Sequence, residues 1–144
     1  MIIREAVKDD VEQILDLVHE FQKESIDKYN VFCDDKIARE YISNNLKAAL
    51  VMLKDNKIIG LIAGTIVNYP LNLKPMYQET MWFMTKEYRK YGVKLLKELE
   101  RRLKLANINQ MVIAHMSNCK SEKLERFYNR CGFELMEMQY FKTL

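Results

Sequence analysis

The chain opens with an apolar pair, Ile2-Ile3, ahead of Arg4, which reads as a short first strand. Val11, Ile14, Leu15 and Val18 then recur at i, i+3, i+4 and i+7, so the spacing predicts an amphipathic helix over 10–24. Asp9 stands three residues before Glu12, an Asp form of the capping box that would start it. A second helix is expected after Asp34-Asp35, with Ile37, Ala38, Tyr41 and Ile42 turned inward. From residue 48 the period changes. Ala49 to Leu53 and Ile58 to Val67 are apolar and β-branched, and Lys54-Asp55-Asn56-Lys57 between them suits a tight turn with positive φ. That pattern is a hairpin.

Both prolines, Pro70 and Pro75, fall in the next loop, 68–76. Tyr77 to Met84 is rich in aromatics and reads as a strand. After a basic turn, Val93, Leu96, Leu99 and Leu103 form a helical stripe, with Lys94, Lys97, Arg101 and Lys104 off it. Met111 to Ala114 is a strand. Ser121 can cap a last helix whose Leu124, Phe127, Tyr128 and Cys131 share a face, and Gly132 ends it in the C′ role. Phe133 to Phe141 reads as a closing strand. The expected order is β α α β β β α β α β. This is an α/β fold: a mixed, mostly antiparallel central sheet, about four flanking helices and one parallel crossover.

At 144 residues without repeat or linker, the chain is expected to form a single domain over 1–144. With 49% hydrophobic and 30% charged residues it is neither disordered nor low-complexity. No apolar run is long enough for a membrane span, and no membrane association is expected. Three scattered cysteines, Cys33, Cys119 and Cys131, make no disulfide framework and suggest a reducing, cytoplasmic setting. Cys131 reads as a small apolar filler. The two histidines, His19 and His115, lie far apart, so no metal site is expected.

Charge is uneven. Residues 1–72 carry nine basic and twelve acidic side chains, and residues 73–144 carry fourteen and eight. From Lys86 to Lys104 eight basic residues face three acidic ones. A solvated helix face explains this as well as an anionic partner does. A nucleic-acid binder is disfavoured by the modest pI of about 8.7 and the acidic first half.

The turn Glu87-Tyr88-Arg89-Lys90-Tyr91-Gly92-Val93-Lys94 joins a strand end to a helix start. A helix N-terminus with a glycine and full positive charges beside it suits a phosphate-bearing ligand. The alternative is that Gly92 merely eases a tight turn. Glu79 sits mid-strand, with Tyr77, Met81 and Phe83 on its own face by period 2. A carboxylate among such neighbours should have a raised pKa and could serve as a base. A solvent-facing or paired Glu79 is the competing reading. Tyr128 lies on an apolar stripe and reads first as a core tyrosine.

E-Y-R-x-x-G (Glu87 to Gly92) opening a helix, and F-Y-N-R-C-G-F (Phe127 to Phe133) near the end, together with the order of elements, resemble the GNAT N-acetyltransferases. The likeness covers nearly the whole chain, is closest over 77–142, and is strongest to small phage-encoded and bacterial members. It implies acetyl-coenzyme A (acetyl-CoA) as donor, bound in the gap between the strands at 77–84 and 111–115. Phe83 and Met84 would meet the pantetheine arm through their main chain, and Arg89, Lys90, Tyr91, Gly92, Val93 and Lys94 would hold the pyrophosphate. Tyr128 would protonate the leaving thiolate, and Glu79 or water would deprotonate an amine acceptor of unidentified kind, small molecule or protein. His115, Tyr140 and Lys142 could line the acceptor cleft, with loops 25–35 and 68–76 as its walls. The pyrophosphate loop departs from the family pattern: aligned from Arg89 and Gly92, Lys94 stands where a small residue is expected, and aligned from the helix instead, the loop is about two residues short. That departure leaves a coenzyme-binding or protein-partner module without catalysis as the rival function. A monomer or a homodimer is compatible with all of this.

Overall fold

The computed structural model describes residues 1–29, 32–115 and 121–144. The chain divides into two compact units, 1–114 and 115–144, each described here by itself.

The first unit is built on a five-stranded sheet in the order β1-β2-β3-β4-β5. Its strands are β1 (Ile2–Glu5), β2 (Ala49–Lys54), β3 (Lys57–Asn68), β4 (Pro75–Met84) and β5 (Met111–Val112). Neighbours are antiparallel except β4 and β5, which are parallel. The β2–β3 hairpin turns on Asp55 and Asn56, with φ of 50° and 61°. These are the positive values that a two-residue turn with the right twist requires.

Helix α1 (Val11–Phe21) starts a residue or so later than its stripe suggests and continues as a π-helical turn, Gln22–Ile26. Its entry is organised by Asp10 rather than Asp9. The Asp10 carboxylate accepts from the Val7 amide at 2.8 Å and takes two bonds from Arg4, at 2.6 and 3.0 Å. Helix α2 (Asp35–Asn44) begins as expected, with Asp34 accepting from the Ile37 amide at 3.1 Å. Its inward face does not form as the pattern implies. Ile37 is 65% exposed and Tyr41 47%, and no α2 residue is fully buried. Ile42 alone of the expected four packs against the core cluster of Ile14, Leu17, Ala49, Val51, Leu61, Met81 and Phe83.

Helix α3 (Gly92–Leu105) packs on β2, β3 and β4 from the other face. Its true stripe is Leu95, Leu96, Leu99 and Leu103. Leu95 is completely buried, whereas Val93 is only half-buried. Leu96, Leu99 and Leu103 are as expected, and Leu95, at i−4 from Leu99, takes the place read for Val93.

The second unit holds α4 (Ser121–Arg130), which Gly132 ends in the left-handed region at φ +87°. The expected cap, Ser121, is the helix's first residue, and its side chain lies outside the described residues, as does Cys119. Two expectations fail. The strand at 111–114 is only Met111–Val112, and Phe133 to Phe141 forms no strand. That last segment alternates over Met136-Glu137-Met138-Gln139-Tyr140, but its apolar side is not buried. Leu135, Met136, Met138, Tyr140 and Phe141 are all exposed, so no one-sided burial fixes a register. Cys131 is half-buried with a free thiol, not core filler.

Leu95→Ala should therefore cost about 2–5 kcal/mol in denaturant unfolding, the range for a cavity left at a fully packed site. Val93→Ala should cost clearly less. Equal losses would restore the stripe drawn from Val93.

Candidate active site

The site begins at an irregularity in β4. Its register with β3 runs Tyr77–Ile66, Gln78–Thr65 and Glu79–Gly64, then resumes at Met81–Ala63 and Phe83–Leu61. Thr80 is the extra residue of a β-bulge. One inserted residue flips the side-chain alternation. Glu79 therefore shares a face with Tyr77, Trp82 and Met84, and not with Met81 and Phe83 as simple period 2 implies. Gly64 is required opposite the bulge, since a Cβ there would meet the Gln78 carbonyl at 2.4 Å and the Tyr77 ring at 2.6 Å.

On the other side of β4, its ladder with β5 comprises Tyr77–Met111 and Gln78–Val112, and β4 runs on to Met84. Where the strands part, the Glu79 side chain takes over: its Oε2 accepts from the Ala114 amide at 2.9 Å. The half-buried carboxyl is pushed up to about 7 by burial, partly offset by that amide. Beside it, the Tyr77 hydroxyl donates to the Ala48 carbonyl at 2.8 Å, and burial followed by the nearby Glu79 raises its pKa well above the ordinary phenol value.

The bulge also meets an open apolar cleft of about 80 Å³ on the α1/α2 side. Ile14, Val18, Tyr41 and Ile42 line it from the helices, and Gly64, Thr80 and Met81 from the sheet.

At the far end of β4, Phe83 and Met84 are buried, and the Phe83 ring meets Phe21 edge-on at 6.1 Å. Thr85 closes the strand by donating twice to the Ile59 carbonyl, from its amide at 3.0 Å and its hydroxyl at 3.1 Å. Residues 86–91 form a 3-10 turn leading into α3. The Tyr88 amide bonds to Thr85 and the Gly92 amide to Arg89, so part of this turn's donor set is used internally. The first turn of α3 has no side-chain cap and no acidic residue. Lys90 and Lys94 both stand over the Tyr91 ring, at 5.1 and 5.2 Å from its centroid. Lys54 adds a third cation, 3.2 Å from the Tyr88 hydroxyl. An unopposed helix N-terminus with two lysines held by one aromatic ring fits an anionic, phosphate-bearing group.

Two expected pyrophosphate residues behave differently. Arg89 is ion-paired with Glu24 of the π-helical turn. Gly92 is small because of packing: a Cβ would lie 3.3 Å from Met84 Cγ and 3.5 Å from Trp82 Nε1. Val93 is half-buried in the helix start. The structure thus brings Arg89, Lys90, Tyr91, Gly92, Val93 and Lys94 together at the end of β4, next to Phe83 and Met84, with Glu79 further back along the same strand.

Tyr128 belongs to α4 of the second unit. Its ring packs with His115, Phe127 and Phe133 at centroid distances of 5.9, 5.8 and 5.9 Å. The Phe133 amide donates to its carbonyl at 3.0 Å. Lys142 and Tyr140 are exposed, the latter at 92%. Sequence reasoning missed Glu24 and Thr80. Gly64, in the strand opposite, was a faint signal for the bulge, whereas nothing in the local pattern marks Glu24 as a partner for Arg89.

Residues 10–133 match the model of the Acetyltransferase (GNAT) family, and the chain belongs to that family. Its fold is similar to that of a ribosomal-protein-alanine N-acetyltransferase from Brucella melitensis biovar Abortus 2308 (TM-score 0.77, 14% identity, covering 99% of this chain and 98% of that one). It is also similar to aminoglycoside acetyltransferase meta-AAC0020 from an uncultured soil metagenomic sample, crystallised with trehalose (TM-score 0.75, 16% identity, 99% and 95% covered). A third is aminoglycoside 6'-N-acetyltransferase AAC(6')-IG from Acinetobacter haemolyticus (TM-score 0.71, 15% identity, 100% and 98% covered). No curated protein matches significantly. Among the described residues no helix is long and apolar enough to cross a membrane.

Glu79→Gln keeps an acceptor for the Ala114 amide and removes the ionisation. A carboxyl whose folded pKa lies above its unfolded value, ~4.3, penalises the fold once it must ionise. The variant's stability should gain on the parent as pH rises from the unfolded value through about 7, and level off above it. Chemical denaturation across pH 4 to 9 reads this; a gap independent of pH would mean that Glu79 ionises normally.

Proposed function

We propose that this GNAT acetyltransferase moves acetyl from acetyl-CoA to a primary amine by direct attack. The observation that carries the reading is the parting of β4 and β5 at the Thr80 bulge, with a carboxylate of raised pKa at the point of divergence. The coenzyme fits the residues present. The α3 N-terminus with Lys90 and Lys94 takes the pyrophosphate, alongside the Tyr91–Val93 backbone, and the main chain at Phe83 and Met84 takes the pantetheine arm. Arg89 joins the pyrophosphate if Glu24 releases it. Bound there, the coenzyme supplies an activated thioester.

The acceptor amine presents its apolar body to the cleft beside Thr80. It must be neutral to attack. Ordered water takes the proton, alone or as a relay to Glu79, whose side chain leaves β4 on the face opposite Met81 and the cleft. A base of pKa about 7 is well matched to neutral conditions. The nitrogen bonds to the thioester carbon, backbone N–H near Met84 stabilises the developing oxyanion, and the carbon–sulfur bond breaks. Tyr128 donates its phenol proton to the departing thiolate, which requires its hydroxyl to reach the sulfur. The proposed acceptor class is a small-molecule or protein amine, and a reducing, cytoplasmic compartment is part of the proposal. Arg101 and Arg102 are both held by Glu98, which lowers the free charge of α3 and weighs against nucleic acid.

A second reading, binding without turnover, is favoured by the Arg89–Glu24 pair and by the turn amides used internally. Two experiments separate them. Acetyl-CoA should raise the melting temperature by mass action, and Lys90→Ala with Lys94→Ala should weaken its binding about 10- to 100-fold. No shift at millimolar coenzyme would remove the cofactor assignment.

In an amine screen, Tyr128→Phe should lower the transfer rate about 10²–10⁴-fold with little change in stability or coenzyme affinity. Transfer at the parent rate with chemistry limiting would make Tyr128 a packing residue. Coenzyme binding with no transfer to any amine in the parent protein would favour the second reading.

A further inference from the structure

Between the end of α1 and the start of α2, the fold assembles a set of side chains that the acetyl-transfer reading does not use. His19 lies in the last turns of α1, Cys33 in the connection that follows, and Asp35 is the first residue of α2. The His19 Nε2 is 3.0 Å from the Asp35 Oδ1. The Cys33 Sγ is 3.8 Å from the same oxygen. All three donor atoms lie within 4.8 Å of one another.

Tetrahedral zinc holds sulfur at about 2.3 Å and nitrogen or oxygen at about 2.0–2.2 Å, which sets neighbouring ligand atoms roughly 3.3–3.6 Å apart. The observed separations bracket that spacing, so a zinc ion needs only small side-chain adjustments. The donor chemistry also fits: one imidazole nitrogen, one thiolate and one carboxylate, with two negative charges to balance the dication. Helix α2 is held at its start by the Asp34 cap, so Asp35 is presented on a fixed turn. His19 and Asp35 are each about half exposed, at 45% and 46% of their side-chain surface, which gives the ion an entry path and leaves a fourth position to water.

The geometry points to a Zn²⁺ site formed by His19, Cys33 and Asp35 that staples the end of α1 to the start of α2. On coordination the Cys33 thiol releases its proton to solvent, and His19 binds as neutral imidazole. The proposal departs from the expectation from the sequence, where the two histidines are too far apart to suggest a site. One histidine suffices once the α1–α2 packing brings a cysteine and an aspartate to it. The inference does not depend on acetyl transfer.

The test uses the full-length protein stripped with chelator and kept reduced. Zn²⁺ is titrated against a chromophoric chelator, and Co²⁺ is added separately for its thiolate-to-metal charge-transfer absorption. Zn²⁺ should bind at one equivalent and raise the melting temperature. Cys33→Ser and His19→Gln should each weaken it by more than the 10- to 100-fold that loss of a mere outer-shell partner causes. The Co²⁺ band should vanish in Cys33→Ser and persist in Cys131→Ser. Affinity unchanged in Cys33→Ser and His19→Gln, a Co²⁺ band that survives Cys33→Ser, or no binding at all would overturn the assignment. Circular dichroism of both variants without metal should match the parent, since neither residue is buried.

Discussion

The arrangement of the site depends on one inserted residue, Thr80. Were Thr80 paired in a regular ladder instead of bulged, β4 would keep a single alternation from Tyr77 to Met84, and Glu79 would share its face with Met81 and Phe83. With it, the first part of the strand and the last part face opposite ways at matching parity. Met81 and Phe83 fill the α1 side, Trp82 and Met84 meet the start of α3, and Glu79 is left at the strand edge where β5 departs. The carboxylate there replaces a missing ladder partner by accepting the Ala114 amide. A bulge commonly re-aims a side chain and ends pairing, and here both effects fall on the same residue.

The opposite end of β4 is governed by close packing. Gly92 seats α3 against Met84 and Trp82, so the helix N-terminus is fixed relative to the strand end. Its uncapped first turn and the two lysines over Tyr91 follow from that placement. The Arg89–Glu24 pair ties the same turn to the end of α1. It couples the start of α3 to the helix that lines the cleft. As an ion pair half exposed to water it is weak in itself.

Much of this was readable from the sequence because it is local. The Asp55-Asn56 turn, the Asp34 cap, the Gly132 terminus and the basic turn before α3 each depend on residues adjacent in the chain. The family resemblance rested on two such local motifs, and the family match bears it out. What escaped depends on distant partners. A bulge is a property of register between two strands, and β4 alone shows only aromatics. The closing strand at 133–141 failed because its apolar residues, although they alternate over 136–140, stay exposed and no burial fixes a register. His19, Cys33 and Asp35 converge only once α1 and α2 pack.

The central claim is that strand divergence at the bulge holds Glu79 as a carboxyl poised near neutrality. Direct titration by NMR of a protein labelled at the glutamate side-chain carboxyls, assigned by comparison with Glu79→Gln, tests it most directly. The account predicts that the resonance lost in the variant titrates with a midpoint near 7. A midpoint at the ordinary glutamate value, ~4.3, would contradict it and leave Glu79 as a solvated strand-edge residue.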